Sequence, residues 1–352
     1  MHGVQGKELR QAQSSVAEPV EVKNTQNPQS AMSATETTSF RTRINILLLR
    51  LLPQHALSKA MYRLARSEKI WLKNRIIRYV VKRYAVDMTE ATQTNPLDYP
   101  SFNAFFTREL RAETRPIAAK SIVSPADGKI SQSGIADGQQ LVQAKGQHYS
   151  LHALLGGDDQ QSETFRNGSY LTVYLSPKDY HRVHMPVAGT LQQMIFIPGD
   201  LYSVSEQTAA RIPVLFARNE RLVCLFQTAH GPMAVILVGA IFVGSMQTVW
   251  AGEVRAKTIQ HWDYTDQTIS FATGDEIGRF NMGSTVITLF TEGQVELLTT
   301  LTGQPIQMGQ QIAPSATSVQ IKAQAKTQIA QLLHKVQNVK PLTKTTWFSR
   351  KK

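Results

Sequence analysis

From about residue 123 to residue 290 the chain consists of short β-branched and aromatic runs, and this texture confines it to a β-rich core. YLTVYLSP, GTLQQMIFIPGD, RLVCLFQT, MAVILVGAIFVGSM and STVITLF are punctuated by Gly, Pro, Asp and Asn. The run at 233–246 is shorter than the ~20 residues a membrane-spanning helix needs. Gly239 and Gly244 interrupt it, so it reads as buried strands. The chain has 352 residues and a hydrophobic fraction of 42%, enough for a sizeable packed core in one or two domains. No internal repeat at a fixed period is visible.

The ends differ from this core. Residues 1–43 are rich in Gln, Ser, Thr and Ala and read as a disordered extension. They show no apolar stretch of the kind a cleaved secretory signal carries. A single cysteine, Cys224, excludes an intramolecular disulfide and fits a reducing compartment. The net charge of +12 is concentrated at the two ends. Between Arg41 and Arg83 there are twelve Lys and Arg against one acid, Glu68; after Glu296 eight Lys and Arg follow and no acid. Basic ends on a balanced middle suit an anionic partner, nucleic acid or phospholipid.

Residues 44–90 favour the phospholipid. INILLLRLLP is apolar but too short to cross a bilayer. From 57 to 84, Met61, Leu64, Ile70, Trp71, Ile76, Ile77, Val80 and Tyr84 alternate at helical spacing with Arg63, Arg66, Lys69, Lys73, Arg75, Arg78, Lys82 and Arg83. A basic helical segment with Trp and Tyr suits a membrane interface. The plainer reading is an apolar face on the core with solvated charges opposite. No nucleic-acid motif accompanies the charge, so no nucleic acid is expected. The tail, 313–352, reads as basic and largely flexible.

Three stretches carry candidate chemistry. SPADGKI places Asp127 in a turn between short strands, where a plain Asp-Gly turn is the simplest account. SPKDYHRVHMPVAG sets His181 and His184 three residues apart. Surface histidines or a zinc site are the alternatives, but there is no HExxH and one cysteine cannot build a Cys-rich cluster. GRFNMGSTVITLF puts Ser284 after Gly283, at the entrance to a buried strand. An Asp, a His and a Ser can activate a hydroxyl: imidazole takes the proton and the carboxylate orients the imidazole. The GxSxG elbow common in serine hydrolases is missing, so the serine need not attack an external ester.

Taken in order, the stretches FNAFFTREL, RPI, SPADGKI, KGQHYSL, FRNGSY, YLSPKDYHRVHMPVAG, IPGDLYSV, LFARNER, GPMAVILVGA, GSMQTVWAG and GRFNMGSTVITLF resemble the bacterial, pyruvoyl-dependent, membrane-associated phosphatidylserine decarboxylases. The resemblance runs from about residue 46 to about residue 312. Met282 stands where that family commonly has Leu, a nearly volume-conserving change.

The resemblance implies an α+β fold, with N-terminal interfacial helices at 44–90 and a β-rich catalytic core at 91–312. It implies self-cleavage between Gly283 and Ser284 into chains 1–283 and 284–352. Ser284 would become a covalent pyruvoyl group, with no pyridoxal phosphate and no metal. A Schiff base with phosphatidylserine would then lose CO2 and give phosphatidylethanolamine. Asp127, His184 and Ser284 would form the self-processing triad, and His181 would serve decarboxylation. Phe102, Phe105, Phe106 and Tyr202 are weaker candidates for lining the lipid's access route, with ordinary core aromatics as the alternative. A homodimer of cleaved protomers, peripheral on the cytoplasmic side of the inner membrane, is also implied. The rival readings are a serine hydrolase acting on a lipid ester, a non-catalytic membrane-binding β-domain, and a pyruvoyl decarboxylase of a soluble amino acid.

Overall fold

A computed structural model of the chain describes residues 54–240, 245–281, 284–299 and 301–315. The expectations for residues 1–43, for 44–53, for most of the basic tail and for Gly283 lie outside them. The fold is α+β, with helices near the N-terminal region and a β-rich core.

Among the described residues two helices come first, α1 (Gln54–Ala65) and α2 (Ile70–Tyr84). The amphipathic pattern of α2 buries Lys73, Ile77 and Val80 at i, i+4 and i+7. Its C-terminal turn carries Lys82 and Arg83, which suit the negative end of the helix dipole. Ala85 then takes a left-handed conformation and donates its N–H to the Val81 carbonyl. The short helix α3 (Phe102–Phe106) starts at Ser101, whose hydroxyl accepts from the Ala104 N–H. Phe102, Phe105 and Phe106 pack with Ala65, Ile77, Val80, Val86 and Tyr99 into a separate N-terminal core.

The strands that position the site are β1 (Gly128–Ile135), β2 (Ser169–Leu175), β3 (Arg182–His184), β4 (Gly189–Ile197), β5 (Arg221–Thr228), β6 (Gly231–Val238), β7 (Met246–Thr248), β8 (Gly252–Val254), β9 (Gln260–Asp263), β10 (Glu276–Phe280), β11 (Ser284–Phe290) and β12 (Pro305–Ile306). A nine-stranded sheet runs in the order β9-β4-β5-β6-β11-β2-β1-β12, with Ser270–Phe271 also paired to β4. A four-stranded sheet has the order β8-β7-β10-β3. All these pairings are antiparallel.

Every residue of β11 is buried, which explains its unbroken apolar and β-branched composition. Val286 and Phe290 join a core with Val183, Met246, Ile277 and Phe280 of the smaller sheet. Ile287 and Leu289 face the opposite core, which includes Leu154, Phe165, Leu215 and Phe216. The central strand is thus covered on both sides.

Candidate active site

Ser284 is the first residue of β11. It pairs with Leu175 of β2, and its neighbour Thr285 pairs with Tyr174 of β2 and Val238 of β6. Strand alternation places Ser284 on the side of Val286, towards the smaller sheet. The residue has no exposed surface and its Oγ has no hydrogen-bond partner among the described residues. Leaving a buried hydroxyl unpaired costs about 1–3 kcal/mol, so such an atom calls for a functional account.

The chain reaches Ser284 through Asn281, which is 2% exposed. Asn281 donates from Nδ2 to Ser245 Oγ at 2.6 Å, and its N–H donates to the Ser245 carbonyl at 3.2 Å. Asn103 of α3 donates to Asn281 Oδ1 at 3.1 Å. This buried chain holds the backbone two residues before Gly283. The sequence reading assigned no role to Asn103, Ser245 or Asn281, although all three lie in the stretches that carry the family resemblance.

His181 immediately precedes β3 and His184 ends it. His184 is level with Glu276, whereas the Phe280 N–H donates to the His181 carbonyl at 3.1 Å. His181 is therefore beside the end of β10 that leads to Ser284. Its ring is fully buried, 4.0 Å centroid to centroid from Phe106. Nδ1 lies 2.8 Å from the Asp179 carbonyl and donates to it, leaving Nε2 as an acceptor without a partner. Burial above all, aided by the nearby Arg108 charge, pushes the imidazole down to about 3, against the pull of the Asp179 bond. His181 is neutral at physiological pH. His184 has both ring nitrogens engaged: Nδ1 donates to the Gly274 carbonyl at 2.8 Å and Nε2 accepts from the Tyr180 hydroxyl at 3.0 Å. Burial lowers its pKa as well.

The Asp127 carboxylate is saturated. It accepts from Arg115 Nε at 2.9 and 3.1 Å, from Arg115 Nη2 at 2.5 Å and from the Met308 N–H at 2.8 Å. Arg115 also donates to Glu90 at 3.0 and 2.7 Å. Gly128 follows because a Cβ there would run into the Tyr174 carbonyl of β2. The His184 N–H donates to the Pro125 carbonyl at 2.8 Å, which fastens the Asp127 turn against β3. Asp127 acts on His184 electrostatically and not by a hydrogen bond. The structure thus brings the Asp127 turn beside His184 and His181 beside the approach to Ser284. No hydrogen bond joins Asp127, His184 and Ser284 to one another.

A cleft of about 400 Å³ is lined by Asp127, Arg115, Arg108, Lys178, Asp179 and Tyr180, among others. A second, of about 910 Å³, shares Gly128, Lys178, Asp179 and Pro305 with it and extends to Arg83 and Tyr84 at the end of α2. Tyr174 and Ser176 line this larger cleft on either side of Leu175, the partner of Ser284. Phe102, Phe105, Phe106 and Tyr202 are core residues and are not among the side chains lining either cleft. Phe106 reaches the site by its contact with His181. Among the described residues no group of three or more His, Cys, Asp or Glu is placed to hold a metal ion.

The family model described as phosphatidylserine decarboxylase matches residues 102–314, and a second, described as PSD, matches residues 44–85. The chain is 53% identical over 265 residues to the phosphatidylserine decarboxylase proenzyme of Methylococcus capsulatus, covering 74% of this chain and 92% of that one. It is 52% identical over 251 residues to the corresponding proenzyme of Delftia acidovorans, covering 70% and 88%. It is 48% identical over 274 residues to that of Vibrio cholerae, covering 75% and 96%.

Proposed function

The chain belongs to the phosphatidylserine decarboxylase family, and from that premise we propose that it cuts itself before Ser284 and then converts phosphatidylserine to phosphatidylethanolamine at a membrane surface. The observation that carries the proposal is the Ser284 hydroxyl, buried and unpartnered at the start of the central strand.

In the proposed cleavage, Ser284 Oγ attacks the Gly283 carbonyl and the acyl group moves from nitrogen to oxygen. The ester then breaks by β-elimination. Water hydrolyses the resulting dehydroalanine, releasing ammonia and leaving a pyruvoyl group at the head of residues 284–352. The Asn103–Asn281–Ser245 chain holds the approach to the bond while it reacts. His184 is the base of this step, and its neutral Nε2 exchanges the Tyr180 hydroxyl for that of Ser284. Asp127, fixed by Arg115, favours the imidazolium that forms.

The pyruvoyl carbonyl supplies an electron sink for the amine-bearing carbon that loses CO2. It fits this position: the strand is hydrogen-bonded to both neighbours, and Ser284 has no competing partner. His181 then serves decarboxylation. Its free Nε2 is neutral, buried and beside the approach to Ser284, so it can move a proton without ionising at rest.

The helix α2 supports a lipid substrate. Ile70 and Trp71 are each 70% exposed and Tyr79 65% exposed, beside exposed Arg75, Arg78 and Lys82. This is the pattern of a helix lying in an anionic interface. Its end at Arg83 and Tyr84 lines the larger cleft, which gives a lipid headgroup a route inward. Among the described residues no helix is long and apolar enough to cross a membrane. An inner-membrane, cytoplasm-facing position and a homodimer of cleaved protomers rest on the family resemblance.

The test is intact-mass analysis of the purified protein together with CO2 release from phosphatidylserine vesicles. The expected result is two chains, 1–283 and 284–352, the smaller blocked by a pyruvoyl group, with headgroup decarboxylation. A single uncut chain that hydrolyses lipid esters would overturn the proposal.

A further inference from the structure

We propose that Arg108 binds the phosphodiester of the substrate headgroup; the inference rests on the phosphatidylserine reading and adds a residue to it. Arg108 follows α3 and is 4% exposed. Its Nη2 donates to the Lys178 carbonyl at 2.8 Å and its Cζ lies 5.7 Å from the Phe105 ring centroid, while Nε and Nη1 are buried with no hydrogen-bond partner among the described residues. No carboxylate forms an ion pair with it among the described residues. A guanidinium stays protonated in proteins, and an unpaired buried charge costs several kcal/mol.

The same molecule satisfies its other buried arginines. Arg115 in the same cleft bonds two carboxylates. Arg221 donates to the carbonyls of Leu154, Asn219 and Ala153. Nor are the acids of the cleft waiting for Arg108. Asp127 and Glu90 bind Arg115, Asp179 is capped by the Ser176 N–H and hydroxyl, and Asp87 accepts from Thr89. Arg108 is thus a buried cation with two unused donors, lining a polar cleft. Nε and Nη1 lie on opposite edges of the guanidinium, so the remaining fork is one of them together with the second Nη2 hydrogen, and such a fork matches a carboxylate or a phosphate.

The reaction decides between them. Loss of CO2 discharges the carboxylate, so a cation bound there would stabilise the ground state more than the transition state. The phosphodiester keeps its charge throughout, and holding it positions the headgroup without raising the barrier. The location agrees. Lys178, whose carbonyl anchors Arg108, is exposed and lines both clefts, and the larger cleft leads to the end of α2. A phosphodiester held between Arg108 and Lys178 lies between the lipid side and the reacting end of the headgroup.

The experiment measures binding of glycerophosphoglycerol, a phosphodiester with neither amine nor carboxylate, to the purified cleaved protein by calorimetry, beside KM and kcat for phosphatidylserine. Arg108→Gln is expected to weaken the probe roughly ten- to a hundredfold and to raise KM similarly, with kcat within about threefold of the parent. Arg108→Lys is expected to fall between, because an ammonium keeps the charge and loses the fork. Unchanged probe affinity with a lowered kcat would assign Arg108 to the carboxylate or to His181 and overturn the proposal. Unchanged affinity and unchanged kinetics would make Arg108 a structural cation and overturn it too. If Arg108→Gln does not fold or stays uncut, Arg108→Lys decides on the same readouts. Wild-type protein that binds the probe and does not turn over phosphatidylserine would sink the functional reading alone. Turnover without probe binding would sink only the role of Arg108.

Discussion

Around Asp127 the buried polar groups find partners: the carboxylate takes four hydrogen bonds, and Arg115 divides its donors between Asp127, Glu90 and the Thr114 carbonyl. Around Ser284 the situation is reversed, for Ser284 Oγ and His181 Nε2 are both buried and without a hydrogen-bond partner among the described residues. Arg108, which lines the Asp127 cleft and lies near His181, is the exception on the first side, with two nitrogens unpaired. The two regions meet along β3. A saturated network fixes geometry and is inert to small perturbation. An unsaturated one holds unspent hydrogen-bonding capacity where a reacting group must fit. On the proposed reading decarboxylation falls to the second region, while the first holds it in place and supplies His184 and Asp127 to the self-cleavage.

The largest effect that could break this division is that of Ser284→Ala. The variant should remain one chain by mass and release no CO2, because its only change is at the unpaired atom. Cleavage of that variant would remove Ser284 from the centre of the account. Next come the histidines. His181→Gln should cut itself normally yet lose about 10²–10⁴-fold in kcat, while His184→Gln should stay uncut. The opposite pattern on gels and in CO2 assays would exchange their roles.

A third change attacks the saturated side. Arg115→Leu leaves Asp127 buried without its cation and should destabilise the protein by about 3–5 kcal/mol, measured by urea unfolding of the uncut Ser284→Ala background. A loss below about 1 kcal/mol would mean that the network is not structural.

The smallest effect is a pH slope. The folded His181 pKa lies near 3, below the ordinary 6.5. The unfolded chain therefore takes up the proton first as pH falls. The stability that neutral His181 permits is full above pH 6.5 and is lost at up to about 1.4 kcal/mol per pH unit from 6.5 towards 3. In the uncut background, His181→Gln should lack that part of the slope. Parallel stability curves for parent and variant between pH 6.5 and 4 would show that His181 is not held neutral.

Much of the core was legible because it is sandwiched. Strands β2, β5 and β11 coincide with YLTVYL, RLVCLFQT and STVITLF, since burial on both faces demands runs that need no phase information, and β4 coincides with GTLQQMIFI, fully buried only over its last four residues. The basic stretch at 57–84 was less transparent. It reads as one helical segment, whereas the structure breaks it between Ala65 and Ile70. Lys73, a solvated charge by spacing, is buried and donates to the Leu97 carbonyl at 2.6 Å. A backbone acceptor 24 residues away leaves no mark on local periodicity.

The site divides in the same way. Asp127, His181, His184 and Ser284 stand out by residue type within motifs. What holds them does not: Arg115 lies in RPI and Asn103 in FNAFFTREL, and their partners are 12 and 178 residues distant. Pairings at such separations are written in the fold and not in any one stretch.

Strand β11 is bonded to β2 and β6, and the segments after it pair with β1 and with Ser121–Val123. A cut before Ser284 would therefore convert one polypeptide into two without dividing the folded body. The uncut chain would fold without any encounter between these two parts. The mature protein, once unfolded, would need an encounter between two chains, so its recovery would depend on concentration. Its persistence would then be set by how slowly it comes apart and not by how readily it reforms.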